Sequence, residues 1–361
     1  MAYQTSTNEH PLDILNLNSL EELAQETMDP GAFGFVKGGA EDEVTLTANT
    51  QAFNHKQIVP RILQGLNDVD LRTSLWNLPL ASPIIEAPFA LHKVIHQEGE
   101  IASAKGIAAA GSIFPIGTYT SVTMNEVARA VPEVPQFLQL YLSKSDLFNK
   151  YILDKALEAG CKGIILTADS TVGGYRESDI RNRFHFPVSM AHLKEFEREM
   201  GPKLGSSTDY KKGKQNITPA DLTWIKEYTK LPLILKGVQS PLDAEVGITY
   251  GADAIWISNH GGRQLDGGPA AFDVLPAIAK VVKKHVPIIF DSGVRRGQHV
   301  FKALASGADF VGICRPLIYG LYSAGAAGVK SVFDHLNKEL SITMALAGTR
   351  TIEDIKQVTL L

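Results

Sequence analysis

The chain has 361 residues, 44% of them hydrophobic, a formal net charge of −4 and a mean hydropathy of −0.01. That is ample apolar material for a large core. The basic residues are spread out, with one short cluster at Lys211, Lys212 and Lys214, so there is no electrostatic footprint for nucleic acid. Two cysteines, Cys161 and Cys314, make neither a disulfide framework nor a metal-ligand spacing, and no apolar run reaches ~18 residues. The polar N-terminus lacks a signal-peptide core and the terminal VTLL is no peroxisomal address, so a cytoplasmic protein with no membrane partner is expected.

Residues 1–60 precede any repeating pattern and hold one helical stretch, Ser19–Gln25 (SLEELAQ). From residue 82 onward short apolar runs recur: SPIIEAP (82–88), GSIFPI (111–116), PQFLQLY (135–141), KGIILTAD (162–169), LPLILKG (231–237), ADAIWIS (252–258), VPIIFDS (286–292) and ADFVGIC (308–314). They are continuous rather than alternating, which suits parallel strands buried on both faces. Helical patterns lie between them. EGEIASAKGIAAAG (98–111), SDLFNKYILDKALEAG (145–160) and QHVFKALASG (298–307) close on a glycine. Thr218–Pro219 and Ser240–Pro241 each pair an N-cap with a proline at the first helical position.

Eight strand–helix units predict an α/β chain folded as one (β/α)₈ TIM barrel over 1–361, with 1–60 as an N-terminal extension. An open doubly wound sheet is the runner-up. It would want G-x-G-x-x-G after the first strand, and APFALHK has none. Residues 170–217 form a long insertion after the fourth strand, rich in charge, Gly and Ser. Because it leaves the barrel's active face it is a candidate lid; a disordered surface loop is the alternative.

A barrel's active site lies at the C-terminal ends of its strands. The runs end on polar residues: Tyr119 beyond the second, Gln139 and Tyr141 on the third, Thr167 and Asp169 on the fourth, Lys236 on the fifth. Ser258 and His260 end the sixth, followed by Gly261, Gly262 and Arg263. Asp291 ends the seventh, followed by Gly293 and Arg295, and Arg315 follows the eighth. Singly, each has a bland reading, such as a hydrogen-bonded histidine or a paired charge. The set is harder to dismiss, because buried charge is costly unless paired. DSGVRRG and the start of the helix after the eighth run place Gly-flanked N–H groups and arginines where barrels bind phosphate, which points to a phosphorylated ligand.

SNHGGRQLDGGPAAFDVLP (258–276) and DSGVRRGQHVFKALASGAD (291–309) closely resemble the FMN-dependent L-2-hydroxy acid oxidase family, nearest to its bacterial members that oxidise L-lactate. GGAEDEVTL, QLYLSK, TADSTVGGYRESDIRNRF and LKG follow in family order, so the resemblance spans roughly residues 30 to 350. It implies FMN as cofactor, no metal, a small L-2-hydroxy acid as substrate with L-lactate favoured, O₂ as acceptor giving H₂O₂, and a homotetramer. By the same resemblance His260 is the base, Asp169 orients it, and Tyr141 bonds the substrate oxygen. Arg263 and Arg176 hold the substrate carboxylate. Lys236 stands beside flavin N1 and O2. Gln139 and Thr167 contact the ring, with Ala90, Gly117 and Ser258 also in the cofactor site. Asp291 takes the ribityl chain, and Gly293, Arg295, Cys314 and Arg315 cradle the phosphate. The chemistry suits these types. Histidine is a natural acceptor of the hydroxyl proton near neutral pH. A guanidinium fork fixes a carboxylate. A fixed cation stabilises charge on the reduced flavin. The Cα hydrogen leaves with its electron pair as hydride or by way of a carbanion.

Three positions depart from the family. Phe35, in GFVKGGAED, replaces a tyrosine that binds the substrate carboxylate; a lost charge-assisted hydrogen bond costs on the order of 1.5–3 kcal/mol. Weaker binding of small hydroxy acids, or a larger apolar substrate, is expected. Gly117 replaces a small hydroxyl or alanine, with a mild effect. Cys314, in CRP, replaces a glycine, and would be strained if φ there were positive. Other readings are a quinone-linked dehydrogenase or a monooxygenase of the same family, acting on a larger hydroxy acid, and a non-catalytic flavin binder.

Overall fold

Each of the eight apolar runs holds one strand of a single parallel sheet, in a computed structural model that describes residues 5–204, 208–283 and 285–361. Residues 1–4 of the expected extension and 205–207 of the expected lid lie outside the described residues. Three helices come first: α1 (Leu17–Thr27), α2 (Pro30–Lys37) and α3 (Val44–Gln51). An antiparallel hairpin of β1 (Thr73–Leu75) and β2 (Leu78–Leu80) follows. The barrel then runs β3 (Ile84–Glu86), α4 (Glu100–Ala109), β4 (Phe114–Gly117), α5 (Met124–Ala130), β5 (Gln136–Leu140), α6 (Asp146–Glu158) and β6 (Ile164–Thr167). After an excursion through α7 (Glu177–Arg181) and α8 (Ala191–Leu204) it resumes with α9 (Pro219–Thr229), β7 (Leu233–Val238), α10 (Pro241–Thr249), β8 (Ala254–Ile257) and α11 (Ala271–Val282). It ends with β9 (Ile288–Phe290), α12 (Gly297–Ala305), β10 (Phe310–Ile313), α13 (Arg315–Ala347) and α14 (Ile352–Ile355).

The strands pair in parallel in the order β4 to β10 and then β3. β3 returns beside β4, where Ser112 Oγ donates to the Ile84 carbonyl at 3.0 Å, and the ring closes as a (β/α)₈ barrel. The continuous apolar runs have a simple cause. Side chains alternate across a strand, and here both faces are covered. Ile85, Phe137, Ile165, Ile234, Trp256, Ile289 and Phe310 fill the barrel interior. Their neighbours Ile84, Leu138, Ile164, Leu235, Ile255, Phe290 and Val311 pack outward under the helices. The hairpin, which the sequence pattern did not suggest, plugs one end of the interior with Leu75 and Leu80.

Thr218–Pro219 and Ser240–Pro241 open α9 and α10 as expected, and Ser240 accepts from the Leu242 N–H at 3.2 Å. The first helix begins earlier than SLEELAQ suggests: Asn16 is its N-cap and takes the Ser19 N–H at 2.9 Å. The long helix α13 is two helices. Ala324 and Gly325 leave helical geometry, and Glu9 caps the second part through the N–H groups of Ala326 and Ala327. Among the described residues no helix is long and apolar enough to cross a membrane, and no cluster of side chains could hold a metal ion.

The described part of the insertion packs against the barrel helices. Phe196 on α8 is fully buried against Phe148 and Tyr151 of α6 and Tyr210. His192, also fully buried, bridges the Thr118 carbonyl at 3.2 Å and the Met124 N–H at 3.0 Å.

Candidate active site

Alternation along the strands also builds the site. Two residues above Phe137, Ile165, Ile234, Trp256 and Ile289 come Gln139, Thr167, Lys236, Ser258 and Asp291. They share the inward face and form a polar layer on the apolar plug at the strands' C-terminal ends. Above them lies a cavity of about 370 Å³. Lys236 Nζ is 3.0 Å from Ser258 Oγ and 3.4 Å from Asp291. Burial works against the Lys236 charge, but Asp291 and Asp169 more than offset it and hold its pKa above the ordinary value. Gln139 Nε2 donates to Thr167 Oγ1 at 2.8 Å. Ser258 does not line the cavity; it supports the layer from behind by donating to Asp291 Oδ1 at 2.6 Å.

His260 stands on the cavity wall in a left-handed turn, φ 57°, followed by two glycines that are also left-handed. Asn259 fixes this turn: Asn49 of α3 donates to its Oδ1 at 2.9 Å, and that oxygen also takes the Gly262 N–H at 3.1 Å. His260 Nδ1 is 2.9 Å from Asp169 Oδ1, and its Nε2 is 3.5 Å from the Tyr141 hydroxyl. Burial raises the Asp169 pKa, yet the charge and hydrogen bond of His260 bring it below the usual value, so the carboxylate stays ionised. Gly237, at φ 102°, lets it come so close: a Cβ there would lie 2.6 Å from the Asp169 carboxyl carbon. Burial and the Asp169 charge push the Tyr141 phenol well up, so it remains a donor.

Arg263 and Arg176 line the same cavity. Arg176 Nε binds Asp179 at 2.8 Å. Among the described residues Arg263 gives one hydrogen bond, to the Gly38 carbonyl at 2.6 Å. Burial first, and then Arg315 and Arg176, push its pKa down to about 9. A cation under that strain gains from any anion that enters. Phe35 and Ala90 line the cavity too, while Gly117 lies just behind, where a Cβ would be 3.4 Å from Gln139 Oε1.

Gly293, Arg295, Cys314 and Arg315 line the far end of the cavity, at the start of α13. Ser292 and Gly293 have φ of 88° and 83°, and a Cβ on Gly293 would lie 2.2 Å from the Asn49 carbonyl oxygen, so only glycine fits. Cys314 has φ −130°, which removes the expected strain, and burial above all pushes its thiol up to about 12, too high for a reactive thiolate. Arg315 is engaged by protein: it donates to the carbonyls of Val36, Gly38 and Gly261 at 3.0, 3.3 and 3.1 Å.

This donor set fits FMN. No side chain caps α13; Pro316 has no N–H and the Leu317 N–H turns back to the Cys314 carbonyl at 2.8 Å, so the backbone N–H groups of Cys314 and Arg315, with Arg295 on the same cavity, are the donors a phosphate would meet. Asp291 and the polar layer follow, and Lys236, Gln139 and Thr167 meet Ala87, Pro88 and Ala90 where a flat polar ring would rest. Sequence reasoning missed Phe89, Phe186, Met190 and Leu142, which make one side of the mouth apolar. The two phenylalanines of RFHFP, in an otherwise charged insertion, were the available signal.

Residues 24–361 match the family model described as FMN-dependent dehydrogenase. The chain is 51% identical to an L-lactate oxidase of Lentilactobacillus hilgardii over 99% of this chain and 97% of that one. It is 40% identical to a peroxisomal (S)-2-hydroxyacid oxidase of Arabidopsis thaliana, over 95% of each. Among solved structures, a Pediococcus acidilactici protein assigned as a lactate oxidase superposes with a TM-score of 0.95 at 52% identity, covering 99% of this chain and 98% of that one. A mandelate oxidase variant with (S)-mandelic acid gives 0.89 at 30% identity, covering 96% and 98%.

Proposed function

Because this chain belongs to the FMN-dependent dehydrogenase family and is an FMN-dependent 2-hydroxy acid oxidase, we propose that it converts L-lactate to pyruvate, with His260 as the base. The observation that carries the residue assignment is the Asp169–His260–Tyr141 chain at the cavity wall. Asp169 holds Nδ1–H of His260, which leaves Nε2, 3.5 Å from the Tyr141 hydroxyl, as the ring's acceptor nitrogen. That nitrogen takes the substrate hydroxyl proton, and the ionised Asp169 stabilises the imidazolium. Arg263 and Arg176 grip the carboxylate and turn the hydroxyl carbon towards the polar layer. Tyr141 donates to the substrate oxygen. Bound FMN supplies the acceptor for the Cα hydrogen and its electron pair. Lys236, Gln139 and Thr167 would hold its ring, and Asp291, Gly293, Arg295 and the N–H groups at Cys314 and Arg315 would hold its tail. Ser258 and Gly117 shape the site from behind, and Ala90 and Phe35 border the substrate.

The same reading takes O₂ as the final acceptor, with H₂O₂ as product, a single functional domain with 170–217 as its lid, and the cytoplasm as location. Assembly as a homotetramer is supported by exposed Ile342 and Leu346 beside Ile58 and Pro60, apolar surface that a partner copy would cover. In air, L-lactate should give pyruvate and H₂O₂ in equal amounts. Acetate and CO₂ instead would indicate a monooxygenase. Turnover with a quinone but not with O₂ would indicate a dehydrogenase.

A further inference from the structure

Phe35 lies near the end of α2, with its ring against the cavity. Three aromatic rings hold it. Phe89 meets it edge-on at 5.6 Å, Phe186 edge-on at 5.1 Å, and Phe184 stacks at 5.3 Å with planes 19° apart. The Arg263 guanidinium carbon sits 5.1 Å from the ring centroid. Among the described residues no carboxylate lies within ion-pair distance of Arg263, and its side chain has the single hydrogen bond to Gly38. The negative face of the Phe35 ring is thus its other local partner.

Two of these rings, Phe184 and Phe186, come from the insertion, and Phe89 follows β3. α7 docks on α2 across glycines. A Cβ on Gly34 would lie 2.4 Å from Asn182 Nδ2, and one on Gly38 would lie 2.2 Å from Ser178 Oγ. Asn182 donates to the Pro30 carbonyl at 3.2 Å and Ser178 to the Gly34 carbonyl at 3.3 Å. This close approach brings Phe184 and Phe186 onto Phe35.

Resting on the oxidase reading above, we propose that Phe35 is a positioning residue for Arg263: residues 184 and 186 of the insertion clamp its ring, and the ring face holds the guanidinium ready for the substrate carboxylate. Phe35 touches the substrate carboxylate through no polar atom. It acts through the arginine, so its effect should be felt by anions and not by neutral ligands.

The test uses the FMN-loaded enzyme. Phe35→Tyr keeps the ring face and Phe35→Leu removes it. Replacing Phe35 with 3,4,5-trifluorophenylalanine keeps the shape while draining the negative face, and this form decides the matter if Phe35→Leu fails to fold. The probes are L-lactate turnover, and binding of oxalate and of the neutral L-lactamide read from the flavin spectrum. In the leucine and fluorinated forms, KM for L-lactate and the Kd of oxalate should rise about ten-fold, the size of a buried cation–π contact. kcat should stay within about two-fold, since ground and transition states share the carboxylate contact. L-lactamide should bind unchanged, and Phe35→Tyr, which keeps the ring face, should not weaken oxalate. A fluorinated enzyme with unchanged KM would overturn the inference. So would L-lactamide weakening as much as oxalate, or Phe35→Tyr behaving like Phe35→Leu. A wild-type protein that no hydroxy acid reduces would overturn the oxidase reading as well, whereas failure in the variants alone touches only Phe35.

Discussion

His260 and Asp169 lie in the loops after different strands, β8 and β6, and their 2.9 Å contact depends on two backbone positions, the left-handed turn at 260 and the glycine at 237. Asp169→Asn removes the charge that stabilises the imidazolium while nearly keeping the shape. Its kcat should fall by about 10²–10⁴-fold with KM little moved, as for a general base that loses its partner; stopped-flow reduction of the flavin measures this, and a fall of only a few-fold would shift the burden to Tyr141. Glu86 is a second residue-scale case, outside the chemistry. It is fully buried, its Oε2 has no partner, and burial first and Glu100 second raise its pKa well above the usual value. A raised acid contributes stability below its unfolded pKa and loses it as the pH climbs. Glu86→Met should therefore raise Tm, and the gain should grow from pH 5 to 8; equal gains at both ends would contradict this. The inward polar layer was legible in the sequence because strand parity fixes which residues face in. The engagement of Arg315 by three carbonyls was not, since they belong to Val36, Gly38 and Gly261, which no local pattern links to it.

At the scale of elements, glycine endings and Ser/Thr–Pro starts marked the barrel helices, because caps are local chemistry. The three-residue strands of the hairpin carry too little pattern to be seen, and their role as a plug appears only once the barrel closes. The insertion's charge hid its packing for a related reason: among its described side chains α8 buries only His192, Leu193 and Phe196, a narrow stripe amid charged neighbours. Phe196→Ala should cost about 3–5 kcal/mol, the usual toll for a fully buried phenylalanine. That loss should fall first on the insertion, so limited proteolysis should cut within 170–217 well before the barrel. Uniform loss of the whole fold with the insertion still protected would show that it has no independent opening.

For the molecule as a whole, acid should be the weak side. His192 and His299 are buried neutral, with burial the first cause, and each is pushed down from 6.5 to about 4. Between those values the unfolded chain binds protons that the folded one refuses, so stability is lost as pH falls through the window. Urea midpoints should drop from pH 6.5 to pH 4, and His192→Gln should flatten the slope; a slope unchanged in that variant would remove His192 from the account. The barrel itself was readable because eight units repeat one pattern. The site was readable in part, because the barrel gathers strand ends at one rim, while the aromatic mouth joins the extension to the insertion and needed the fold. This rim, loaded with FMN, should oxidise a hydroxy acid. Mixing the yellow holoenzyme anaerobically with L-lactate tests it most directly. Rapid loss of the visible flavin band, restored by air, is the expected result. A band that L-lactate leaves untouched would contradict it.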